Sequence, residues 1–205
     1  MWSGITLAEQ KKHIPHNSSI RICILLLIIQ EAIVNAYNLR TNGNHTKEEL
    51  DSYTGWSMPI TDKEFSELHY TLWKDDWERI RPAVSERTLS KLISACDVQL
   101  LTGISEECDG GLRSWLGSNF PNTDVKIRYV VSLREKPYLG YDVLFDDADP
   151  VADEFLKVHE KGMKLYLIDQ PWNKRRRYEE ESSRITRVES LSYGIGSLLS
   201  ELQRV

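Results

Sequence analysis

Between Arg21 and Ala36 the chain reads RICILLLIIQEAIVNA, its most apolar run, and the way that run is buried limits what the other residues can build. The unbroken apolar core extends from Ile22 to Ile29, with Gln30 and Glu31 directly behind it. A helix needs roughly 20 apolar residues to cross a bilayer, so this run is too short for a span. A secretory leader is a second reading, because Lys11, Lys12 and Arg21 precede the run and Ala36 supplies the small residue of a cleavage site. Against it stand the long polar stretch that comes first and Glu31 between core and cleavage site. The third reading is a β-branched and leucine-rich strand buried on both faces of a parallel sheet, and it fits both length and composition.

The rest of the chain decides among these. Residues 1–20 are polar, with Pro15 and the triplet Asn17 to Ser19, and read as a tail. Helical spacing of Ile33, Val34 and Tyr37 predicts a helix from Glu31 to about Leu39. Thr46 with Glu49, and Thr61 with Glu64, have the spacing of capping boxes, predicting helices that start near Lys47 and just after Thr61. The second of these carries Phe65, Leu68, Leu72 and Trp73 on one face, and Pro82 closes the segment. Residues 36–80 therefore read as a small helical insertion.

After Pro82 helix and strand alternate. Helix VSERTLSKLISAC leads to strand DVQLLTG, and helix GGLRSWLGSNF to strand VKIRYVVS; then come strand YDVLFDD, helix PVADEFLKVHEKG and strand KLYLIDQP. Such alternation implies an α/β fold, a Rossmann-like parallel sheet with helices on both faces, whose ligands bind beyond the carboxyl ends of the strands. Those ends carry Thr102, Gly103, Asp146, Asp147, Asp169 and Gln170, with Lys136 in a loop before one strand. A hydroxyl, an ammonium and paired carboxylates at one sheet edge are the parts that hold a phosphate and a divalent cation.

Composition narrows the partners. A net charge of -5 argues against a general nucleic-acid binder, and the basic cluster Asn173 to Arg177 is followed at once by YEEESS, the pattern of a solvated mixed-charge segment. Three cysteines, Cys23, Cys96 and Cys108, have neither disulfide-framework nor zinc spacing and predict buried, reduced thiols. The five histidines are scattered, and none is assigned a metal. Aromatic side chains at Trp56, Tyr70, Trp73 and Trp77 are candidates to stack on a base, although aromatics at helical spacing more often fill a core.

Four segments together, WERIRPAVSERTLSKLISACDVQLLTG (77–103), WL (115–116), EKPYLGYDVLFDDADP (135–150) and LYLIDQPWN (165–173), resemble the haloacid dehalogenase superfamily, specifically its 5'(3')-deoxyribonucleotidase-like branch. The resemblance covers about residues 21–205. It implies a core of residues 21–35 and 81–205, with the cap inserted after the first strand as residues 36–80. It further implies that Thr102, Gly103 and Lys136 bind phosphate and that Asp147, supported by Asp146, ligates Mg2+. The substrate it implies is a nucleoside monophosphate or other phosphomonoester; a cytoplasmic setting is expected, with neither nucleic acid nor membrane as partner, and oligomeric state carries no signal in the sequence.

The first strand departs from the family's pattern. Where the family has two aspartates, one to attack phosphorus and one to serve as acid and base, this chain has Leu25 and Leu27. Leucine has no lone pair, no exchangeable proton and no oxygen for a metal. The expectation is thus a nucleotidase-like fold whose hydrolysis is impaired and whose magnesium binding is weak or lost. Two alternatives stand beside it: an active Mg2+-dependent phosphatase using another carboxylate, Glu31 being nearest, and a secreted non-enzymatic interaction protein with glycosylation acceptors at Asn17 and Asn44.

Overall fold

The computed structural model describes residues 20–24, 29–50, 60–158 and 162–204. Six parallel strands form one sheet in the order β3-β2-β1-β4-β5-β6, with β1 at Arg21–Ile24, β2 at Asp97–Thr102, β3 at Lys126–Tyr129, β4 at Val143–Asp146, β5 at Lys164–Ile168 and β6 at Ile185–Val188. The helices are α1 (Ile29–Thr41), α2 (Asp62–Asp75), α3 (Glu86–Ala95), α4 (Asp109–Asn119), α5 (Asp149–Lys157), α6 (Tyr178–Glu181) and α7 (Leu191–Leu202). This is the α/β Rossmann-like architecture. Among the described residues no helix is long and apolar enough to cross a membrane.

The opening run supplies the central strand. In β1, Ile22 pairs with Val98 of β2 on one side and Val143 of β4 on the other, and Ile22, Cys23 and Ile24 are almost wholly buried. The strand does not run to the end of the apolar stretch, because Ile29 already belongs to α1. A strand reaching Ile29 is therefore corrected: its described part is Arg21–Ile24, and residues 25–28, with the positions of Leu25 and Leu27, lie outside the described residues.

Alternation along the strands assigns the two faces. Ile22, Ile24, Val98, Leu100, Val143 and Phe145 point into one apolar layer that also takes residues of α1, α3, α4 and α7, together with Leu72 and Trp73 of α2. Cys23, Leu101, Leu144, Leu165 and Leu167 point the opposite way, onto Ala152 and Phe155 of α5 and Tyr178 of α6. Both faces are covered, as a sheet of purely parallel strands requires.

Local chemistry places the helix ends. Thr61 caps α2 by accepting from the Glu64 N–H at 3.2 Å, while the Glu64 carboxylate accepts from the Thr61 N–H at 2.9 Å. The Thr61 N–H and the Thr61 hydroxyl, both donating to the Glu64 carboxylate, hold it below its usual value. The helix expected from Lys47 is only a single 3-10 turn, Lys47–Glu49, and its continuation past residue 50 lies outside the described residues. The alternation read from sequence stops at β5, whereas the sheet continues to β6 and α7 closes the chain against β4, with Gly194 packed on Phe145.

Candidate functional site

Chain order reverses between β1 and β4: β2 and β3 extend the sheet to one side, β4 to β6 to the other. At such a reversal the loops part and leave a crevice at the carboxyl ends. A cavity of about 140 Å³ lies there, lined by Thr102, Gly103, Lys136, Asp146 and Asp147 together with Gln30 of α1 and His69 and Trp73 of α2. The five residues expected at the site from sequence are thus brought together from three separate segments.

Lys136 arrives by a 3-10 segment, Leu133–Tyr138, whose start is capped by Ser132. Arg134 and Tyr138 both bond Glu154 of α5, at 3.0 Å each, which fixes the segment against that helix. Lys136 is turned inward, 2% exposed, and its Nζ donates to Asp146 Oδ2 at 2.6 Å. Burial opposes the ammonium's charge, but the Asp146 carboxylate more than offsets it, and Lys136 is held above its ordinary pKa. Cys23, behind this pair on β1, is pushed up to about 12 by burial first of all and is an inert thiol.

The two carboxylates differ in their surroundings. Asp146 accepts three hydrogen bonds: Oδ2 takes the Lys136 ammonium, and Oδ1 accepts the N–H groups of Asp147 and Ala148 at 3.0 Å each. Asp147 is equally buried, yet its Oδ2 has no hydrogen-bond partner among the described residues. Desolvation first, and then the neighbouring Asp146 charge, push the Asp147 carboxyl well above the usual carboxylate range. Thr102 Oγ1 accepts the Ile104 N–H at 3.2 Å. Trp73, packed edge-on against Trp115, also leaves its indole N–H without a partner among the described residues.

A second layer holds Asp147 in place. Its carbonyl accepts from Trp172 Nε1 and from Asn173 Nδ2, both at 2.9 Å, and Asn173 Oδ1 accepts from Arg187 at 2.7 Å. Arg187 also reaches Asp169 and Glu179. Asp169, although at a strand end, is taken up by Arg187 and Lys174 and does not line the cavity. Gln30, His69 and the Asn173–Arg187 pair were not singled out from sequence; the polar character of Gln30 beside the apolar run was the one available signal.

Among the described residues few carboxylate oxygens stand free for Mg2+. Mg2+ takes six oxygens in near-octahedral array, and among the described residues three of the roughly four lone-pair sites of Asp146 are already taken by Lys136 and by the N–H groups of Asp147 and Ala148. Among the described residues no group of three or more His, Cys, Asp or Glu side chains is placed to hold a metal. Glu31, the nearest alternative carboxylate, is exposed and lines a different depression with His45 and Lys47. The basic cluster is largely neutralised by its neighbours: Arg176 pairs with Asp153 and Glu181, and Arg177 with Glu180.

No protein-family model matches the chain, and no curated protein matches it.

Proposed function

We propose that this chain is a nucleotidase-like phosphomonoester-binding protein in which hydrolysis is lost or nearly lost. What supports the reading is the convergence of Thr102, Lys136, Asp146 and Asp147 on one cavity at the sheet's point of reversal, because a buried ammonium beside a hydroxyl is suited to phosphoryl oxygens. The loss of hydrolysis follows from Leu25 and Leu27, together with the placement of Glu31 away from the cavity. Nucleoside monophosphates or other phosphomonoesters are the ligands, and a divalent cation plays at most a minor part. Three buried, unpaired cysteines agree with a cytoplasmic setting.

Calorimetry with deoxynucleoside monophosphates, alongside an assay for released phosphate, tests this reading. Weak binding without turnover is expected, and Lys136→Ala should reduce the affinity at least about tenfold by removing a charged donor. Turnover at ordinary enzyme rates, or affinity unchanged in Lys136→Ala, would overturn it. Leu25→Asp combined with Leu27→Asp should yield turnover that neither single substitution yields.

A further inference from the structure

Two side chains on the helical wall of the cavity carry polar atoms that the fold leaves unused. Gln30, in the first turn of α1, is 5% exposed and lines the cavity, and its amide has no hydrogen-bond partner among the described residues. The amide atoms keep accessible surface there, whereas Asp147 Oδ2 and Trp73 Nε1 are sealed in the core. His69 of α2 lines the same cavity, and its ring nitrogens likewise find no partner among the described residues. Burial holds the His69 pKa down to about 4, so near neutral pH the ring is uncharged and has one donor and one acceptor. The Gln30 amide also both donates and accepts. Largely burying such groups without partners is costly, and a ligand that meets them recovers that cost.

Resting on the phosphomonoester reading, we infer that Gln30 and His69 select what the phosphate is esterified to: a short, uncharged, hydroxyl-bearing group, as in a polyol phosphate, rather than a nucleoside. A hydroxyl donates and accepts at once, which matches two neutral groups that do the same. A carboxylate or ammonium in that place would be desolvated with no opposite charge from Gln30 or His69. A nucleoside would need a face to stack on, and the described residues supply none. Trp73 is wholly buried and held edge-on by Trp115, while Tyr70, bonded to Glu107 and Lys74, and Trp77 do not line the cavity. Trp56 lies outside the described residues. A cavity of about 140 Å³ also suits a phosphate with a short chain, since pockets for drug-sized ligands run to roughly 300–1,000 Å³.

Calorimetry on the full chain near neutral pH, with glycerol 3-phosphate, ethyl phosphate, 3-phosphoglycerate and deoxyuridine monophosphate, tests the inference. Glycerol 3-phosphate should bind at least about tenfold more tightly than ethyl phosphate, which lacks the hydroxyls, and than 3-phosphoglycerate, which adds a carboxylate; this is the order of effect of two hydrogen bonds at a buried site. Gln30→Leu and His69→Phe, each verified as folded by thermal unfolding, should each lower the preference for glycerol 3-phosphate over ethyl phosphate at least about threefold. Ethyl phosphate binding as tightly as glycerol 3-phosphate, deoxyuridine monophosphate binding more tightly than it, or a preference unmoved in both variants would overturn the inference and leave the phosphomonoester reading standing. No binding of any of the four would overturn both.

Discussion

The side-chain amide of Asn173 donates to the carbonyl oxygens of Asp147 and Ile168, at 2.9 and 2.8 Å, and so ties the end of β4 to the end of β5. Both acceptors belong to backbone at the carboxyl edge of the sheet, where no strand partner is left to satisfy them. Asn173 itself is 1% exposed.

Asn173→Ala should accordingly destabilise the fold by about 2–4 kcal/mol, since each lost hydrogen bond costs about 1 kcal/mol and the buried carbonyls are left partly unsatisfied. Urea unfolding measures this. Phosphate affinity should fall with it, because the Asp147 carbonyl keeps only its bond from Trp172. A variant as stable as the parent would show that water replaces the amide.

Lys136 and Asp146 make the second test. Both are 2% exposed in side chain, so removing one leaves the other charged and buried. Lys136→Met should cost about 3–5 kcal/mol. Adding Asp146→Asn removes the stranded charge, while its amide oxygen still accepts the N–H groups of Asp147 and Ala148. The double variant should therefore be more stable than Lys136→Met alone, and a simple sum of the two single effects would refute a direct coupling.

Gly111 of α4 lies against the backbone of α2: a Cβ built there would sit 1.6 Å from the Trp73 carbonyl oxygen. That oxygen belongs to a helix and has no rotamer to escape by, so Gly111→Ala must push α2 away and should cost at least about 2–3 kcal/mol. Gly117, on the same helix, has open space around its missing Cβ. Gly117→Ala should instead stabilise by about 0.5–1 kcal/mol, as alanine does in helix interiors. Equal effects at the two positions would contradict the close approach.

The fold was legible in sequence where one periodicity dominates. Strand β2 alternates over its first four residues and β4 is apolar up to its last, and the residues at their ends, Thr102 and Asp146, could be placed from strand boundaries alone. β6 was not, because its four residues, ITRV, carry an arginine at the third position, and only the fold reveals that Arg187 turns back to Asn173, Glu179 and Asp169. The cavity wall from α2 was equally hidden. Helical spacing shows that Trp73 faces inward, yet which atoms of Trp73 and His69 find partners depends on how α2 lies across the sheet. The ion pair at Asp146 likewise depends on a lysine ten residues earlier being folded back upon it.

His69 yields a prediction in pH. It lies partly buried on the cavity side of α2, and desolvation pushes its pKa down to about 4. In the unfolded chain the imidazole returns to about 6.5. The folded value is thus the lower one, so the neutral ring favours folding: this contribution is complete above the unfolded value and is lost as pH falls from about 6.5 toward 4. A shift of this size corresponds to about 3 kcal/mol at most, and solvent around the partly buried ring reduces it to about 1–2 kcal/mol. Asp147 and Asp149 act in the opposite direction, because burial raises both carboxyls, Asp149 to about 6, and their contribution grows as they take up protons. Comparison with His69→Gln separates the two, since the variant keeps both aspartates and loses only the imidazole. Urea midpoints of the unsubstituted protein should fall more steeply between about pH 7 and 4.5 than those of His69→Gln. Parallel curves across that window would show that His69 is protonated as readily in the folded chain as in the unfolded one.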